Sequence, residues 1–138
     1  LRVLERAAAI RRPGPYQLQA AIAAAHAEER PPAEIVAFYE ALAAIDPSPV
    51  VRLNHAVAVA LAGDVDGGLA LLDAIEGLDG YHLLHAARAD LLRRLGRDEE
   101  AAAAYRRALE LARQPAQRAF LERRLAELGI RERPTPGP

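Results

Sequence analysis

Gly63 and Gly96 stand 33 residues apart, and each closes a helical pattern. Turn residues recurring at a period of this length constrain a chain to stacked copies of one supersecondary unit. The best-formed unit runs from Asp79 to Leu111, DGYHLLHAARADLLRRLGRDEEAAAAYRRALEL. Asp79 is suited to the N-cap of its first helix, which Gly80 then opens. That helix ends at Leu95 with Gly96 at the C′ position, whose left-handed backbone Gly adopts without steric cost. Asp98 starts a second helix with Glu99 and Glu100 in its first turn, where the positive end of the helix dipole favours carboxylates. Ala101, Tyr105 and Ala108 share one face of it, with Leu109 beside them. Small residues there let two helices approach closely, and Tyr105 fills the space between them.

The same step extends in both directions. Backward from Gly63 it reaches Arg30, just before Pro31 and Pro32, and forward from Gly96 it reaches Gly129. It links Ala23, Ala56 and Ala89 as close-approach positions of the first helices, and Tyr39, Leu72 and Tyr105 in the second helices. A small residue, an aromatic four later, then Ala-Leu three later is the tetratricopeptide (TPR) pattern, whose usual period is about 34 residues. Pro47, eight after Tyr39, stands where such a repeat closes. The expected fold is all-α: a TPR-like right-handed helical-hairpin solenoid of about three helix pairs, with N-terminal and C-terminal capping helices. It would form one domain over 1–129, with repeats at 16–47, 49–78 and 80–113 and a capping helix at 116–128. The Pro-rich tail 130–138 is expected to be disordered.

Taken in order, Leu1 to Arg11 has an apolar stripe of Leu1, Leu4 and Ala8, flanked by Val3, Ala7 and Ile10. It lacks a cap and the chain begins without Met, so an upstream domain is expected. Pro15 suits the first turn of a helix over Tyr16–Glu29, with Leu18, Ile22 and Ala25 on one face. Ala33–Ile45 carries Ile35, Tyr39 and Leu42 at helical spacing, and Asp46-Pro47-Ser48-Pro49 is the sharpest linker. Pro49–Ala62 is β-branched, but its length and its Ser-Pro start favour helix. Val65–Ile75 is its partner, weakened by Gly67 and Gly68. Ala116–Leu128 should turn Phe120, Leu121 and Leu125 inward and Arg118, Glu122 and Arg124 outward, with Gly129 ending it.

Composition removes several function classes. The formal net charge is -1, without the basic excess of a nucleic-acid-binding domain. All 18 basic residues are Arg, a codon-usage signature of high-GC bacterial genomes. The absence of Cys removes disulfides and thiolate chemistry. No run spans a membrane and no signal peptide is visible, so a cytoplasmic protein is expected. His82 and His85 lie three apart on one helix, without a third ligand at metal-site spacing, so neither metal nor cofactor is expected. Ser48 is the only Ser and is wedged between prolines, and no Gly-rich phosphate loop follows a strand. No catalytic residue is assigned, and the chain is read as a non-enzyme.

In a solenoid of this type the first helix of each pair lines the concave face. By repeat phase Gln17, Asn54, Asp90, Arg93 and Arg94 fall there as candidate partner-binding residues. Tyr16, Gln19, His55, Tyr81, His82 and His85 are polar groups among apolar neighbours, and buried polar groups need partners. They either form a network between repeats or face a bound protein. His26 and His55 occupy positions between helices and read as packing or hydrogen-bonding residues.

Three blocks go beyond repeat periodicity: GPYQLQAAIAAAHAE, PSPVVRLNHAVAVA and LDGYHLLHAARADLLRRLG. In this order they resemble the C-terminal TPR-like extension of bacterial extracytoplasmic-function RNA polymerase sigma factors of the sigma-70 family, over about residues 1 to 128. The resemblance implies a regulatory role in transcription. Its partners would be the sigma N-terminal regions, RNA polymerase or a regulatory protein, and DNA contact would come only through upstream regions. Two other readings stand beside it: a generic TPR adaptor for an unrelated partner, and a helical ligand-binding or enzymatic domain around Tyr81, His82 and His85.

Overall fold

The computed structural model describes residues 15–132, with side-chain placement over 17–129. The expected first helix, Leu1–Arg11, the side chain of Tyr16 and tail residues 133–138 lie outside this part. Seven α-helices and no strand occur among the described residues: α1 (Pro15–Ala27), α2 (Pro32–Ile45), α3 (Pro49–Leu61), α4 (Val65–Asp73), α5 (His82–Arg94), α6 (Asp98–Leu111) and α7 (Pro115–Glu132). They fall into two compact units divided between Ile75 and Glu76. In the first, α1 packs on α2, α2 on α3 and α3 on α4. In the second, α6 packs on both α5 and α7.

Three helices end in the same way. At α1, Glu29 N–H bonds the His26 carbonyl and Arg30 N–H the Ala25 carbonyl; at α3, Gly63 bonds Ala60 and Asp64 bonds Val59; at α5, Gly96 bonds Arg93 and Arg97 bonds Leu92. Each is a Schellman closure, in which one left-handed residue satisfies two terminal carbonyls. The left-handed residues are Glu29 (φ 53), Gly63 (φ 117) and Gly96 (φ 77). The repeat is therefore stepped 34 and then 33.

This shift corrects two sequence positions. Ala23 is exposed, and Ile22 stands in register with the fully buried Ala56 and Ala89. Tyr39 is half-buried, and Phe38, 2% exposed, takes the position of Leu72 and Tyr105. Phe38 joins Leu18, Ile22, Ala25, Leu42 and Val51 in the core between α1, α2 and α3.

Local chemistry sets the other boundaries. Ser48 Oγ accepts from Val51 N–H at 3.3 Å, and Pro49 at N1 lacks the donor that would otherwise be orphaned. Asp64 Oδ1 accepts from Gly67 N–H at 2.8 Å and caps α4. Gly68 lets α4 lie against α3, since a Cβ there would meet the Ala56 carbonyl oxygen and Ala60 Cβ, each at 2.7 Å. In register with Gly68 are the fully buried Ala101 and, in α2, buried Glu34, whose carboxylate takes both Nε and Nη2 of Arg30 at 2.8 and 3.0 Å.

Further expectations are overturned in the second unit. Asp79 does not cap α5; Tyr81 holds that place, Gly80 stays outside, and the helix begins at His82. α7 runs through Gly129 to Glu132, so residues 130–132 are helical, not tail. A helical Gly costs only about 1 kcal/mol, and Gly129 lacks the positive φ that ends α3 and α5. Phe120 is 37% exposed rather than inward, while Leu121 and Leu128 are buried. Arg118 is half-buried because its Nη1 donates to the carbonyls of Leu109 at 2.8 Å and Ala112 at 3.2 Å, closing the end of α6. In the first unit, α4 stops at Asp73, two residues short of Ile75.

Candidate functional site

In the first unit α1, α2 and α3 leave an open groove made of two adjoining clefts, about 240 and 480 Å³ in volume, sharing His26, Tyr39 and Asn54. At one end the wall is apolar: Ile35 from α2 and Val57, Ala58 and Leu61 from α3. At the other end Gln19 of α1 and Asp46 and Ser48 of the linker add polar groups. Two large apolar side chains on its α3 rim stand open to water, Val50 at 43% and Leu61 at 52%. Apolar surface that is contiguous and rimmed by polar groups is the kind that marks a contact surface. Burial raises the Tyr39 phenol above its ordinary value, which keeps its hydroxyl protonated as a hydrogen-bond donor at neutral pH.

The candidate residues divide by unit. Gln19 and Asn54 meet in the groove; Gln17 is exposed on α1 and does not line it. His55, next to Asn54, turns to α2: its Nε2 lies 3.9 Å from Glu40 Oε1 and is buried without a hydrogen-bond partner. His26 and Tyr39 were not assigned to a binding face from sequence.

In the second unit, Asp90 and Arg93 form a polar cluster with Tyr105. The Tyr105 hydroxyl donates to Asp90 Oδ1, and Arg93 Nε donates to the same hydroxyl at 3.2 Å. Arg93 Nη2 lies 3.9 Å from Asp90 Oδ1. Burial first, then the Asp90 carboxylate, pushes the Tyr105 phenol up to about 12. The bond to Tyr105 raises Arg93 above its ordinary range. Arg94 points to solvent beside this cluster.

Tyr81 and His82 touch edge to face, with ring centroids 5.8 Å apart. His85 Nε2 bonds the Asp79 carbonyl oxygen at 2.7 Å and so ties the loop before α5 to its first turn. A neutral His85 bonded in this way carries its proton on Nε2. The ring is committed to the backbone and does not converge with His82. His82 lines a separate cleft of about 290 Å³ with Leu83, Phe120 and Leu121, and its Nε2 is buried without a partner. No group of three or more metal-ligating side chains occurs among the described residues. No helix among them is long and apolar enough to cross a membrane.

The chain is 44% identical over 134 residues to Uncharacterized protein R00370 of Rhizobium meliloti (strain 1021), a match covering 93% of this chain and 32% of the relative. It therefore spans about a third of that relative's length. No family model and no solved structure matches the chain.

Proposed function

We propose that this chain is a regulatory protein-interaction domain of an alternative sigma factor, a non-enzyme that acts in the cytoplasm on transcription initiation. It works through contacts with sigma regions, RNA polymerase or a regulatory protein, and its helices stack as a TPR-like right-handed solenoid. The observation that carries the interaction reading is the groove of the first unit: an open, partly apolar trough with Asn54 and Gln19 on its walls. Helical repeats use such a surface to hold a segment of another protein. The repeated Schellman closures at 29, 63 and 96 support the repeat architecture. The three blocks around Gln17, Asn54 and His82 support the sigma-factor assignment by resemblance.

The test is a pull-down with this chain as bait, against RNA polymerase and against sigma regions prepared as a separate polypeptide. The proposal expects retention of at least one, weakened by Asn54→Ala and by Arg94→Ala, which both alter exposed side chains. Asp90 is a poor probe, since its loss also orphans Tyr105. Failure to retain either partner removes the sigma-factor reading.

A further inference from the structure

The formal charge of the whole chain, -1, hides an uneven distribution. Residues 15–75 carry eight Asp and Glu side chains against two Arg, Arg30 and Arg52, and Arg30 is paired with Glu34. Residues 76–132 carry ten acidic side chains against eleven Arg and are close to neutral. The first unit is therefore strongly acidic over the part that forms the groove. Residues 1–14 add Arg2, Arg6, Arg11 and Arg12 against Glu5.

The groove concentrates this field. Asp46 lines it, and Glu40 follows Tyr39 with its side chain 63% exposed. At the His26 and Leu61 end, α1 and α3 both terminate, and Glu28, Glu29 and Asp64 follow them. Among the described residues no Arg lines either cleft. Between these charges lie the apolar anchors Ile35, Val57 and Leu61, with Val50 eleven residues before Leu61. That separation along α3 is about 16 Å, three helical turns.

We propose that this groove is the docking site of a basic amphipathic segment of a partner protein, one that sets Leu or Ile side chains onto Val57 and Leu61 while Arg or Lys side chains reach the acidic rim. Helix-in-groove recognition needs an apolar trough of this length, and complementary charge selects the partner and speeds encounter. Asn54 and Tyr39, at the middle of the trough, supply hydrogen bonds that fix the register of the segment. The proposal rests on the interaction reading above but not on the sigma-factor assignment.

The probe is a fluorescein-labelled peptide of about five helical turns, with Leu at i, i+3, i+4 and i+7 and Arg elsewhere, compared with the same peptide carrying Glu for Arg. Anisotropy titration against the 138-residue chain should give at least roughly tenfold tighter binding of the Arg peptide at low salt, with the ratio shrinking as salt rises. Leu61→Ser should weaken the Arg peptide about fivefold, and Asp46→Asn about twofold. Leu83→Ser, exposed in the second unit, should leave it unchanged. Thermal unfolding by circular dichroism keeps these variants comparable, and shifts of the Asn54 side-chain amide signal locate the peptide independently. Equal affinity for the two peptides, or an effect of Leu83→Ser as large as that of Leu61→Ser, overturns the proposal. Absence of binding by both peptides also overturns it, including the case in which the chain's own Arg-bearing residues 1–14 fill the groove. Peptide binding with a failed sigma pull-down keeps this site and removes only the sigma-factor partner.

Discussion

The Tyr105 hydroxyl on α6 donates its hydrogen to the Asp90 carboxylate on α5, fifteen positions earlier, and joins the two helices at the centre of the second unit. Tyr105 is fully buried, and Arg93 donates to the same oxygen from the opposite side. Tyr105→Phe leaves the packing volume nearly intact but removes the hydroxyl that bonds the half-exposed Asp90 carboxylate and Arg93 guanidinium. The expected loss is about 1–3 kcal/mol in urea unfolding. The phenol is also raised from 10.0 to about 12. A raised folded-state value contributes stability that is complete below pH 10 and lost as pH climbs toward 12. Wild type should therefore lose stability over that window, and Tyr105→Phe should flatten the loss. Part of the slope should persist, because burial raises Tyr39 as well. An unchanged alkaline slope in Tyr105→Phe would contradict the assignment.

The adjacent glycines of α4 should respond differently to Ala. At Gly68 the new methyl meets backbone oxygen of Ala56 and Cβ of Ala60, so α3 and α4 must separate, costing about 1–3 kcal/mol. At Gly67 it meets only the Asp64 side chain, which can swing away. That change forfeits the cap, about 1 kcal/mol, and regains helix propensity of similar size. Thermal midpoints of the two variants should differ clearly, with Gly68→Ala the lower.

Glu29 holds a left-handed backbone that suits Gly. Glu29→Gly should relieve about 1 kcal/mol of strain and raise the thermal midpoint. Gly63→Ala and Gly96→Ala should lower it by a similar energy, since both need positive φ. Destabilisation by Glu29→Gly would show that the turn after α1 is not closed as described.

Arg118→Ala removes both hydrogen bonds that Arg118 Nη1 donates to the end of α6. Bonds from a charged donor contribute about 1.5–3 kcal/mol, so hydrogen exchange should quicken over the last turn of α6 and the first turn of α7. Arg123→Ala, exposed five residues later, is the control.

Helix identity was legible because Pro and Gly punctuate this chain. Pro15, Pro32, Pro49 and Pro115 all begin helices, and Gly63 and Gly96 close two. The first repeat was misplaced by one residue because a Glu, not a Gly, takes its left-handed position. That single step exchanged Ile22 and Phe38 for Ala23 and Tyr39. Gly129 misled in the opposite way, since a Gly stops a helix through its backbone angle and not through its identity. Of the candidate site, Asn54 followed from repeat phase and Gln19 from its polarity among apolar neighbours, and the two share a groove. Tyr105 was read as a space-filling ring, because periodicity locates a side chain without showing its hydroxyl partner. The acidity of the first unit was present in the sequence but cancelled when charge was summed over the whole chain.

Titration calorimetry of this chain against a polypeptide made from the Rhizobium meliloti relative's unmatched two thirds tests the central claim most directly. The account predicts that this polypeptide binds core RNA polymerase and binds the present chain in the micromolar range, about -8 kcal/mol, with at least a roughly tenfold loss on Asn54→Ala. A polypeptide that binds neither core polymerase nor this chain would contradict it.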